Sequence, residues 1–137
     1  MAAAEAGRTA RKHKTRATWV SRKERDLWCL DFGGLDDDRA GLLAEIEAAQ
    51  AVIQGQPDNS LLVAAVLPEA GLAPELVEFL NRYSSAAHNP IHKLAILGVS
   101  GWRRFWYARR GAVAWPSNAR FFDDYELAKD WLIEEEF

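Results

Sequence analysis

Ser100 is the first residue to weigh as a nucleophile. It stands in Gly98-Val99-Ser100-Gly101, between an apolar run and a helical segment, so its hydroxyl falls on a strand-to-helix turn. Hydrolases of the Gly-x-Ser-x-Gly type use such a turn, with a later histidine to take the serine proton. Here Trp102 occupies the second glycine position, and His13, His88 and His92 all precede the serine. The set is incomplete for acyl transfer. The turn suits an anion better, because a helix start leaves backbone N–H groups free and its dipole favours negative charge. Arg103 and Arg104 follow at once and add positive charge.

His88 and His92 have the i, i+4 spacing of helical metal ligands, but Asn89-Pro90 lies between them. A proline there breaks the helix, and the spacing loses its geometric meaning. No carboxylate close in sequence completes a ligand set, so neither a metal nor any other cofactor is expected. Cys29 is the one cysteine, set between Trp28 and Leu30, and reads as a buried, inert thiol. A single cysteine also excludes an internal disulfide and a cysteine-rich zinc site.

The six tryptophans are the most unusual feature of the composition. Trp102 and Trp106 are four residues apart in the segment Trp102-Arg103-Arg104-Phe105-Trp106-Tyr107, with Arg109 and Arg110 beyond. On a helix these aromatic side chains point to more than one side, so a single buried face does not take them all. Exposed Trp, Tyr and Arg are the residue types enriched where proteins bind one another. Ser100, Gly101, Trp102, Arg103, Arg104 and Trp106 are therefore the candidate contact residues.

The elements that must position them follow from hydrophobic spacing. Residues 15–20 and 27–32 read as two strands of a hairpin, with a polar turn over 21–26 and Gly33-Gly34 ending the second strand. Leu42, Ile46, Ala49 and Ile53 form one apolar stripe of a helix over 39–54, which Asp36-Asp37-Asp38 precedes. Residues 61–67 form an apolar run too short for an independent helix and suited to a strand buried on both faces. Pro74 opens a second helix, marked by Leu80, Tyr83 and Ala87 and stopped by Asn89-Pro90. A further strand runs over 94–99, a helix over 101–110 and a short strand over 120–122. Asp123 with Glu126 reads as an acidic capping box for a closing helix with Tyr125, Ala128, Trp131 and Leu132 on its apolar face. The order β-β-α-β-α-β-α-β-α predicts an α/β fold: a mixed, mostly parallel sheet of about five strands with about four helices.

The chain has 137 residues, enough for one core. Charge is distributed unevenly. Residues 1–25 carry eight basic and two acidic residues, which leaves nine basic and eighteen acidic for the remainder. Residues 1–14 read as a flexible basic arm before a domain over 15–137, and the acidic body argues against extensive nucleic-acid binding. No apolar run is long enough to span a bilayer, and the start lacks the apolar middle of a secretory signal, so a cytoplasmic protein is expected.

Several words in this order resemble the SpoIIAA-like (STAS) family. They are Leu30-Asp31-Phe32-Gly33-Gly34, the run 61–67, Asn89-Pro90 with Lys93, Ala95-Ile96-Leu97-Gly98-Val99-Ser100, and Phe122-Asp123-Asp124 through Ala128 to Trp131-Leu132. The resemblance covers about residues 15–135. It implies the SpoIIAA-like fold and a bacterial regulatory role in which proteins exchange partners, with a phosphorylated serine at the helix start after the middle strand. That region reads Leu67-Pro68-Glu69-Ala70-Gly71-Leu72 and holds neither serine nor threonine, so this phospho-switch is excluded. Glu69 and Gly71 on the same loop join the candidate contact residues, Glu69 as a standing negative charge. The related CRAL-TRIO lipid-transfer proteins hold apolar ligands. The expected function is thus a non-catalytic module that binds a protein partner or itself. The alternative is a small carrier or sensor of an apolar or lipid-like ligand under the aromatic helix, and the serine turn admits a small anion.

Overall fold

Alternation along the strands decides the architecture. The structure is a computed structural model that describes residues 15–68, 73–84, 89–99, 101–113 and 117–134. Among these residues the strands are β1 (Thr18–Arg22), β2 (Arg25–Asp31), β3 (Leu61–Val66), β4 (Ile91–Leu97) and β5 (Ala119–Phe122). The helices are α1 (Arg39–Gln54), α2 (Pro74–Tyr83), α3 (Trp102–Arg109) and α4 (Tyr125–Ile133). The sheet order is β1-β2-β3-β4-β5. β1 pairs antiparallel to β2, and the other three pairings are parallel. This is the expected α/β order with five strands and four helices. The arm over 1–14, with its expected flexibility, lies outside the described residues.

The sheet is buried on both faces. Trp28, Leu30, Val63, Ala65, Leu94 and Ile96 face a layer that contains Leu42, Ile46 and Ile53 of α1, Leu76 and Leu80 of α2, and Tyr107 of α3. Leu27, Cys29, Leu62, Ala64, Ala95 and Leu97 face the opposite way and meet Ala128 and Leu132 of α4. The strands step in one direction across the sheet, and crossovers of one hand then put their helices on one face. Among the described residues, that leaves the second face for α4 alone.

Several boundaries differ from the sequence reading. The hairpin turn is only Lys23-Glu24, both with positive φ (49° and 68°), so the strands extend to Arg22 and from Arg25. Two-residue turns of this kind match the strand twist and override the polar pattern of residues 21–26. β1 begins at Thr18 rather than at residue 15, because Thr15 and the Arg16 amide bond to the Glu45 carboxylate instead of to β2. β2 ends at Asp31, whose carboxylate accepts from the Gly33 amide as the chain turns.

α2 ends at Tyr83, before Asn89-Pro90, and Ala87 lies outside the described residues. The Tyr83 carbonyl accepts from the side-chain amides of Asn89 and Asn118, which hold the helix end against the sheet. β4 starts at Ile91, three residues before the expected Leu94, because the Asn89 side chain accepts from the Ile91 amide and aligns it with β3. Its polar opening, Ile91-His92-Lys93, hid it from an apolar-run criterion, yet Lys93 is buried. The cap of α4 is Asp124, not Asp123: its carboxylate accepts from the amides of Glu126 and Leu127. Asp123 is drawn away by Arg104 at 2.6 Å.

Candidate functional site

The predicted contact segment begins where β4 ends. Gly98 has φ +83°, and a β-carbon there would stand 2.8 Å from the Leu67 carbonyl oxygen. Only glycine lets the end of β4 pass this close to the end of β3. Gly101 again has positive φ, and α3 then starts without a side-chain cap. Ser100, Glu69 and Gly71 lie outside the described residues. The remaining candidates Gly101, Trp102, Arg103, Arg104 and Trp106 are brought together at the C-terminal end of β4, where open α/β sheets tend to place ligands.

α3 splits its aromatic residues between two jobs. Tyr107 is fully buried in the space beneath the helix, and the Ala73 amide at the start of α2 bonds to its phenol oxygen. Burial pushes this phenol above its ordinary range. Trp106 is half-buried against the same core, edge-on to Tyr107 at 5.2 Å and covered by Arg110 at 5.0 Å. Trp102 and Phe105 point the other way and are 59% and 64% exposed. They are three residues apart and so neighbours on one face.

The arginines divide likewise. Arg104 donates from Nε to the Val99 carbonyl, pairs with Asp123 and lies over Phe121 at 5.4 Å. It ties α3 to the ends of β4 and β5. Arg103 stacks over Trp102 at 5.3 Å, and Arg103, Arg109 and Arg110 make no ion pair among the described residues. The outer face of α3 therefore combines the uncovered rings of Trp102 and Phe105 with Arg109, and Arg110 is exposed at the end of the helix, whereas Arg103 is half-buried and its Nε is buried without a hydrogen-bond partner among the described residues.

Two clefts lie elsewhere. One, of about 160 Å³, sits beside α1 and α2 between Leu35, Pro68 and Pro74, and the Arg39–Glu75 pair at 2.6 Å stands at its rim. The other, of about 530 Å³, lies at the opposite end of the parallel strands, between Asn59, Lys93, Asn118, Arg120 and Trp131. Sequence reasoning missed this second cleft, because its residues come from β4, β5, α4 and the loop before β3. Lys93 explains its own burial: Nζ donates to the carbonyls of Trp131 and Glu134 at 2.9 and 2.7 Å and closes the C-terminal end of α4.

Cys29 is buried, with Sγ 2.7 Å from the Tyr125 hydroxyl. Burial pushes both groups above their ordinary ranges. The thiol therefore stays protonated and unreactive at neutral pH. Among the described residues no three His, Cys, Asp or Glu side chains group so as to hold a metal ion, and no helix is long and apolar enough to cross a membrane. Comparison with protein-family models, curated proteins and solved structures returns no match for this chain.

Proposed function

We propose that this protein is a non-catalytic binding module of the SpoIIAA-like (STAS) type that docks a protein partner on the outer face of α3. The observation that carries this reading is the exposure of Trp102 and Phe105 beside Arg109 and Arg110, which are exposed and make no ion pair among the described residues, on a helix already anchored by Tyr107. A helix that only sealed a core would gain nothing from two large aromatic side chains in water. Aromatic and arginine side chains together supply rigid contact area and directional hydrogen bonds to a protein surface. The α/β architecture agrees with the fold that the sequence words imply, and regulation by exchange of partners is the role that follows from the resemblance.

The test is photo-crosslinking in cells of the full chain with a benzophenone side chain at position 105, and at exposed Leu43 of α1 for comparison. The expected outcome is a discrete protein adduct from position 105 only, lost on Arg109→Glu with Arg110→Glu, both exposed positions. Arg104 is left intact, since it holds the fold. No adduct at position 105, or the same adducts from both positions, would overturn the reading.

A further inference from the structure

The partner of α3 is recognisable from charge. Residues 102–110 contain four arginines and no acidic residue. Residues 123–134 contain five acidic residues (Asp123, Asp124, Glu126, Asp130, Glu134) and only Lys129 as a base. α4 also exposes apolar surface: Leu127 is 59% exposed, and Tyr125 is partly so. Glu126 and Asp130 share Arg22 on β1, while Asp124 and Glu134 have no ion pair among the described residues. Thus one helix is basic and aromatic on its outside, and the other is acidic and apolar on its outside.

Within one copy Arg104 already pairs with Asp123, but the outer faces of the two helices are turned apart. Tyr107 of α3 packs on one face of the sheet, and Ala128 and Leu132 of α4 pack on the other. The sheet lies between them, so a complementary pair of surfaces is left open on each molecule. We infer that α3 of one copy docks on α4 of a second copy, Trp102 and Phe105 meeting Leu127 while the exposed Arg109 and Arg110 face Asp124 and Glu134. This rests on the reading of α3 as the contact surface and names its partner. Helices of eight and nine residues offer less than the roughly 800 Å² per partner of stable complexes, so association is weak and rises with concentration. Exposed charges at its rim make it salt-sensitive.

Sedimentation velocity of the full chain at rising concentration and low salt tests this. The wild type is expected to sediment faster as concentration rises, and added salt is expected to reverse the change. Trp102→Ala with Phe105→Ala removes one surface, and Leu127→Arg removes the other; all three positions are exposed, and circular dichroism checks that both variants fold. Each variant alone is expected to associate at least about tenfold more weakly, about 1.4 kcal/mol. An equimolar mixture is expected to form a complex, because it retains one intact surface of each kind. A wild type that stays monomeric at every concentration would overturn the inference, and so would a mixture that gains no complex. A monomeric wild type with a foreign adduct at position 105 overturns only the second copy as partner; absence of any adduct as well removes α3 as the contact surface.

Discussion

Lys93 shows how one side chain joins the fold's layers. Its ammonium group is buried on the α4 side of the sheet and donates to two carbonyls at the end of that helix, with the Trp131 ring 5.2 Å away. The last carbonyls of a helix lack internal partners, and a cation there also meets the negative end of the dipole. Lys93→Met keeps the apolar stem and removes the donors. The expected loss is about 2 kcal/mol of unfolding free energy, in line with hydrogen bonds from charged groups. Urea titration checks it, and a loss below about 0.5 kcal/mol would contradict this role for Lys93. The sequence marks Lys93 only as the basic residue after Asn89-Pro90; its burial was not legible, because its partners lie 38 and 41 positions away. Arg104 was legible only in part: its nearness to the serine turn suggested an anion contact, whereas Asp123 and the Val99 carbonyl already occupy it.

The elements were legible wherever hydrophobic period alone decides them. The stripe Leu42, Ile46, Ala49, Ile53 gives α1 its observed bounds, and the run from Leu61 gives β3, buried on both faces. Boundaries set by side-chain hydrogen bonds were not legible. β4 begins early through Asn89, and α4 is capped by Asp124 because Arg104 competes for its neighbour. Asp123 and Asp124 therefore separate in a mutational test. Asp124→Ala removes an N-cap and is expected to cost about 1 kcal/mol. Asp123→Ala removes an exposed ion pair and is expected to cost less, within about 0.5 kcal/mol. Chemical denaturation of both variants checks the order, and the reverse order would return the cap to Asp123.

At the scale of the whole molecule, the sheet carries, among the described residues, three crossover helices on one face and a single helix on the other, and three protonated groups sit against it. Cys29, Tyr107 and Tyr125 all have their ionisation pushed upward, chiefly by burial. A group whose folded value exceeds its unfolded one stabilises fully below the unfolded value and ceases to do so as pH climbs through the folded one. With ordinary values of 9.0 for the thiol and 10.0 for the phenols, stability is expected to hold from neutral pH to the alkaline edge and then fall. Urea titrations at about pH 7, 9 and 10.5 check this, and Tyr107→Phe is expected to make the fall shallower. A stability that rises across that interval would contradict it. The same layering gives α3 an inner face fixed by Tyr107 and an outer face on which Trp102 and Phe105 stay exposed. That division is the centre of the proposed function, and unfolding free energy measures it most directly. Trp102→Ala with Phe105→Ala is expected to leave the free energy within about 0.5 kcal/mol of wild type, as for exposed positions. A loss of about 3–5 kcal/mol, the cost of truncating a buried aromatic side chain, would mean that these residues serve the core and not a partner.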